Sequence, residues 1–363
     1  MRFLGIRWAS LLIVGLLLPL PALSEDVPAT LYSWRGSVPQ DVFDRYTEVY
    51  GEDLIVDSFM AADEAEARLA LKDAPYDLAV LPIEVVPRLL ANNTLQPVKT
   101  QVAALKDVAP TLHLDVFDAL LPDVSDYVVP YLWGSTGMII DVPAVRARLP
   151  NAPLDSWSLL FDSKNAEALA DCGISIVNSS QEVLALTLSY LGKDPNRFSE
   201  EALDAAFGTL SQVMPYVSSI SDLHYSKLRN GEVCIALVWS VPGVAPKIEG
   251  FGEQYTYVLP KEGAIMWSNV LVAPRKREPS AHLQQLLSFV LSEEVFERLA
   301  AHSFASMSPF GEDVALSPMQ HMLKAEIFPT NQMQRLFMLE PLTGAQKHDL
   351  DTRWRRLQIG RYQ

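Results

Sequence analysis

The stretch VVPYLWGSTGMIID, residues 128–141, decides the fold class. It is an extended, mostly apolar run, broken by Gly134 and Gly137, and it is longer than an ordinary strand. Shorter β-type runs and helical periods alternate on both sides of it. Upstream lie Leu31–Trp34 and Asp77–Leu81, the latter stopped by Pro82. Downstream, Val233–Trp239 (VCIALVW) is a continuous apolar run of strand length. Tyr255–Leu259 and Val270–Ala273 follow, each ended by a proline. Between the runs, Leu203, Phe207, Leu210 and Met214 recur at helical spacing behind Ser199-Glu200-Glu201, a cap with acids in the first turn. Leu283, Leu286, Leu287, Val290 and Leu291 make another stripe, and Ser292 is placed to cap a helix carrying Val295, Phe296 and Leu299. Such alternation predicts an α/β protein with largely parallel sheets.

The chain has 363 residues, which favours two lobes over one core. Apolar residues make up 49%, too many for a disordered chain. The net charge of −15 argues against a nucleic-acid binder, which needs basic stripes to replace counterions. There is no internal repeat and no low-complexity segment. The basic C-terminal RWRRLQIGRYQ reads as a solvated final helix, with 346–363 as a tail.

Residues 1–24 have the form of a secretory signal peptide. Arg2 and Arg7 give the positive start, Leu11 to Leu18 the short apolar core, and Ala22-Leu23-Ser24 the cleavage site. The apolar run is shorter than the ~20 residues a spanning helix needs. No later segment is long and apolar enough to span, so the mature chain is expected to be exported and not membrane-spanning. In an oxidising compartment Cys172 and Cys234 most simply form one disulfide, the alternative being two buried thiols. A bond closing a loop of that length contributes ~4 kcal/mol in the chain-entropy account.

Catalytic spacing is absent. There is no GxxxxGK[ST], GxSxG or HExxH, and no two of the six histidines stand four apart. No metal site, no cofactor and no enzyme activity are expected, although carboxylates paired in space stay open as an alternative. The Gly134-Ser135-Thr136-Gly137 segment reads as a turn able to offer N–H groups to an anion, a weak signal. Tryptophan says more. Trp34, Trp239 and Trp267 each stand at a strand end. Strand ends in open α/β sheets face the ligand crevice, where aromatic walls suit an alkyl chain or a cation.

At these residues the chain resembles the periplasmic polyamine-binding proteins of ATP-driven importers, the putrescine and spermidine receptors. The blocks are LYSW 31–34, YDLAVLP 76–82, VPYLWGSTGMIID 129–141, SWSLLFD 156–162, CGISIVNSSQEV 172–183, YLGKDPN 190–196, NGEVCIALVWS 230–240 and LPKEGAIMW 259–267. Together they cover nearly the whole mature chain. The resemblance implies a two-lobed periplasmic-binding-protein fold with a ligand cleft between the lobes. Lobe 1 would be 27–134 plus 256–301, and lobe 2 would be 135–255 plus 302–345. VPYLWGSTG, QYTYVLP and the stretch near His302 would be the hinge crossovers. It further implies a monomer in the periplasm, cleaved near Ser24, that captures a small amine and presents it to an inner-membrane ABC permease. A membrane sensor in place of the permease is the alternative partner. Cys172 and Cys234 fall where the family's disulfide lies.

Residue by residue, Trp34, Trp239 and Trp267 match the family's aromatic walls, and Glu182 matches a carboxylate that meets an amine. Elsewhere the pattern is broken. Gly36 stands where the family has an acid, Ser37 where it has an aromatic, and Asn269 and Pro242 where it has aspartates. Pro82 replaces a serine, Glu84 lies near a usual hydroxyl or aromatic, and Phe304 takes the place of a tyrosine. Arg35 follows the first wall where Ser or Thr is usual. Two expectations follow. Glu84 substitutes for a lost acid or is a surface helix-start glutamate. Arg35 either turns outward, pairs with Glu84, or joins Glu182 in holding a ligand with one anionic and one cationic end.

Overall fold

A computed structural model describes residues 28–360, apart from 73, 106–107, 109–111, 222–223, 252–253, 277–281 and 310–315. The signal-peptide segment 1–24 and the last three residues of the chain therefore lie outside the described residues. Eleven strands are present among those described: β1 (Ala29–Trp34), β2 (Leu54–Phe59), β3 (Leu78–Pro82), β4 (Leu95–Gln96), β5 (Val129–Asp141), β6 (Ile174–Ile176), β7 (Ser219–Ile220), β8 (Ile235–Trp239), β9 (Tyr255–Val258), β10 (Ala264–Pro274) and β11 (Leu336–Phe337). The sheet order is β2-β1-β3-β10-β5-β8-β6-β7. β1, β2 and β3 are mutually parallel, as are β8, β6 and β7. β10 runs antiparallel to β3 and β5, and β5 antiparallel to β8, while the short β11 joins β10 in parallel. The largely parallel sheet expected from the sequence is thus two parallel sets joined by an antiparallel seam.

Each parallel set has its own core. In the first half, neighbouring residues on a strand face opposite sides, as the two-residue period requires. Leu31, Val80 and Leu271 pack with Leu286 and Phe296 on one face. Tyr32, Leu81 and Val270 pack with Phe59 on the other. In the second half, Met138, Ile140, Ile235 and Leu237 pack with Trp157 and Leu184. The apolar run of β8 is buried along almost its whole length, as a central parallel strand should be. The bond between Cys172 and Cys234 closes in this half, tying the approach to β6 to the start of β8.

Four details differ from the sequence expectations. First, Tyr255–Val258 does not cross between halves. It pairs with residues 138–141 of β5, and the return crossing is made by β10, which spans Ile265↔Thr136 to Leu271↔Val129. Second, the helix Pro318–Ile327 puts Leu323 and Ile327 into the first half's core beside Phe59 and Leu81, together with Val244 from the second half. Third, the C-terminal helix Gly344–Gly360 is no solvated tail, because Leu350 and Trp354, one turn apart, are buried in the second half. Fourth, Ser292 precedes the helix Glu293–His302, but its hydroxyl donates back to the Phe289 carbonyl at 2.8 Å instead of capping. Ser199 does cap its helix, accepting from the Ala202 N–H at 3.3 Å.

The seam demands glycine at one point. Gly134 pairs with Trp267, and a Cβ there would lie 1.9 Å from the Trp267 ring. Trp133 and Ser306 exchange backbone hydrogen bonds at 2.8 and 2.9 Å, giving a third connection beside β5.

Candidate functional site

Strands of both parallel sets end at the seam: β1 at Trp34 and β3 at Pro82 from the first, β8 at Trp239 from the second. That is where an open α/β sheet leaves a crevice. A cavity of about 1070 Å³ lies there, lined from both halves. All nine residues singled out in the sequence line it: Trp34, Arg35, Ser37, Glu84, Glu182, Trp239, Trp267, Asn269 and Phe304.

The second-half wall is built around Glu182. It lies in the first turn of the helix Ser180–Tyr190, where the helix N-terminus favours negative charge. The Thr136 hydroxyl donates to one carboxylate oxygen at 2.7 Å, and the Trp239 indole N–H reaches both oxygens at 3.0 and 3.2 Å. Thr136 and Trp239 are register partners on β5 and β8, so the sheet itself sets the two donors side by side. The Gly134-Ser135-Thr136-Gly137 segment is therefore strand rather than an anion-binding turn. Its threonine serves a carboxylate.

Trp267 occupies the seam, its ring over Gly134, and packs against the cores of both halves. Its indole nitrogen is buried and has no hydrogen-bond partner among the described residues. Such a donor is costly to leave unmade.

The first-half wall is less tied down. Trp34 donates to the Asn269 side-chain oxygen at 3.2 Å and tilts against Phe59, ring centres 4.5 Å apart. Asn269 stands beside a register shift in β10. Gly36 has φ +72°, a conformation that the acid usual in the family would adopt only with strain. Ser37 is spent on the backbone, donating to the Trp34 carbonyl at 2.7 Å. Pro242 lies in the helix Ser240–Ile248 and contributes ring surface only. Phe304 has φ +46°, a strained value for a bulky residue, in the loop after the helix Glu293–His302.

Glu84 sits in the single turn Ile83–Val85 directly after β3 and is half-buried. It is thus a wall residue of the cavity and not an open surface glutamate. Burial, with the charge of Glu182 adding to it, pushes its carboxyl up to about 7; Arg88 and its own backbone N–H pull the other way. Arg88 is engaged elsewhere, donating to both oxygens of Glu66 at 2.7 Å and to the Glu84 and Leu342 carbonyls at 3.1 Å. Arg35 is exposed at the rim and makes no ion pair among the described residues, so of its alternatives the pairing with Glu84 is not formed.

The C-terminal helix also reaches the cavity, which the sequence reading missed. Lys347, Asp351, Trp354 and Arg355 line it. Lys347 joins Asp63 of the first half at 2.9 Å and Asp351 at 2.6 Å, and Asp351 accepts from Ser180 at 2.6 Å. The signal available was the four-residue spacing of Leu350 and Trp354, masked by the surrounding arginines. Among the described residues there is no cluster able to hold a metal ion, and no helix is long and apolar enough to cross a membrane.

With this geometry in view, comparison with known proteins is direct. The family model for bacterial extracellular solute-binding proteins matches residues 42–329. A putrescine/agmatine-binding protein of Pseudomonas aeruginosa is 28% identical over 344 residues, covering 91% of each chain. The putrescine-binding periplasmic protein PotF of Escherichia coli is 28% identical over 316 residues, covering 84% of this chain and 85% of its own. Among solved structures, a putative spermidine/putrescine ABC transporter protein from Listeria monocytogenes superposes with a TM-score of 0.75 at 20% identity, covering 92% and 99%. The Atu4243–GABA receptor superposes at 0.68 with 16% identity, covering 92% and 98%. These are binding proteins rather than enzymes, and the fold is theirs: two α/β lobes with a cleft between. The chain belongs to the bacterial extracellular solute-binding protein family, and its likeness to polyamine-binding members runs through nearly its whole length.

Proposed function

We propose that this chain is the periplasmic receptor of an ABC importer, acting as a monomer after cleavage near Ser24, and that its solute carries an amine. The observation that carries the reading is Glu182, a carboxylate oriented by Thr136 and Trp239 at a cavity whose lining includes the indoles of Trp34, Trp239, Trp267 and Trp354. An ammonium gains there from charge-assisted hydrogen bonding and from the ring faces together. The lobes close over it about β5, β10 and the Trp133–Ser306 bridge, and an inner-membrane permease reads the closed form.

The test is the melting temperature of the mature protein across putrescine, cadaverine, spermidine, agmatine, 4-aminobutyrate, basic amino acids and simple carboxylates. A solute at 100 times its dissociation constant adds ~2.7 kcal/mol. The expected result is a clear rise with an amine. A response confined to amine-free carboxylates contradicts the reading.

A mixed-charge solute is the second reading. It is favoured by Arg35 at the cavity rim, and a structural neighbour is a receptor for GABA. Here 4-aminobutyrate should outperform putrescine, and Arg35→Ala should abolish that advantage. An unchanged 4-aminobutyrate affinity in the variant rejects it.

A further inference from the structure

Two carboxylates line the cavity from opposite halves, and they are served very differently. Glu182 has Thr136 and Trp239. At Glu84 no side chain donates to the carboxyl among the described residues. The charged groups around it are accounted for. Arg88, on the following turn, is committed to Glu66 and to two carbonyls. On the C-terminal helix, Lys347 is held between Asp63 and Asp351, and Arg355 donates to the Asp351 carbonyl. Arg35 is exposed at the rim. From across the cavity comes the like charge of Glu182, and the other second-half acids of the lining, Glu249 and Asp351, are of the same sign. Two carboxylates facing one partly desolvated cavity favour neutralisation of one of them, by a proton or by a cation.

We propose that Glu84 is an exchangeable anchor: it holds a proton while the cleft is empty or carries a singly charged amine, and gives that proton to solvent to receive the second ammonium of a diamine. This deepens the amine reading and rests on it. Charge balances in both states. One ammonium answers Glu182 when Glu84 is protonated, and two ammoniums answer both carboxylates when it is not. The acids that the family keeps at the positions of Gly36, Pro242 and Asn269 are thereby replaced by one residue that counts the charges on the solute. The direction of the Glu84 shift, upward through burial and Glu182, agrees with the placement.

The test is isothermal titration of the mature chain with 1,4-diaminobutane and with butylamine at pH 6, 7 and 8, each in two buffers of different ionisation heat. Both amines stay protonated throughout this range, as a lysine does. For a carboxyl titrating at about 7, the ionised fraction rises about tenfold from pH 6 to pH 8. Diaminobutane affinity should rise about tenfold with it, with close to one proton released per solute at pH 6 and about a tenth of one at pH 8. Butylamine should respond far less. Glu84→Gln should lose the slope and the proton release, and Glu84→Asp should restore a release. Melting curves of both variants confirm that they fold. A flat wild-type profile with no proton release, or a slope that survives in Glu84→Gln, overturns the proposal while leaving the amine reading intact. If the wild type takes up neither amine, the amine reading falls and this inference falls with it.

Discussion

The two walls of the cavity were built by different means. The second-half wall is organised before any solute arrives: Glu182 stands at a helix N-terminus, and two donors on adjacent strands fix its carboxylate. The first-half wall is less tied down, and Pro242 is the departure on the second-half side. Gly36, Asn269 and Pro82 stand on the first-half wall without a charged side chain, while Glu84 lines the cavity from the turn after β3. The difference teaches where such a cleft is free to change. The two donors to Glu182 are set by the strand register shared by β5 and β8, so they cannot be moved without disturbing the sheet. Glu84 sits past the end of its strand, where a side chain can be exchanged without touching a ladder.

The comparison makes graded predictions. Glu182→Gln should cause the largest loss of amine affinity, ~2–5 kcal/mol, because it removes the organised partner of an ammonium; titration calorimetry reads it, and a loss smaller than that of Glu84→Gln inverts the ranking of the walls. Trp239→Phe keeps most of the ring but removes the N–H, and should cost about 1.5–3 kcal/mol in amine binding. An affinity equal to wild type would show that the indole acts only as a wall.

Apo stability should separate the walls by pH. The folded-state Glu84 carboxyl is raised from 4.5 to about 7, so the folded protein binds the extra proton between those values. Its contribution to stability is present below about 4.5 and is lost as pH rises towards 7. Denaturant melts should therefore show Glu84→Gln gaining on wild type, by up to roughly 3 kcal/mol, between pH 5 and 8. Parallel curves would contradict it. The smallest effect belongs to the link between halves. Lys347→Ala removes a part-exposed pair with Asp63 and should cost no more than ~1 kcal/mol of stability. A larger loss would make the C-terminal helix a principal clamp on the first half.

Much of this was legible in the sequence because it follows strand ends. Trp34 and Trp239 close apolar runs, and their convergence needed only the α/β alternation and the rule that crevices lie at strand C-termini. Trp267 was legible as an end only because Val270–Ala273 was read as the strand. In the fold it lies within β10, which starts at Ala264. The same limit misplaced the crossover: Tyr255–Val258 and β10 look alike as β-type runs, and only pairing reveals which one crosses. Thr136 was hidden because GSTG carries a turn composition, whereas Gly134 is there to admit the Trp267 ring. Glu84 had two readings because its place in the cavity wall comes from tertiary packing, which no local pattern records. The C-terminal helix was hidden by charge, four arginines around the single buried Trp354.

The central claim is that an amine lies between the two walls, on Glu182. A crystal structure of the mature protein grown with 1,4-diaminobutane at pH 8 tests it most directly. The account predicts one nitrogen within hydrogen-bond distance of the Glu182 carboxylate, the other at Glu84, and the chain between the indoles of Trp34, Trp239 and Trp267. A diamine bound away from Glu182, or a cleft left empty at saturating diamine, would contradict it.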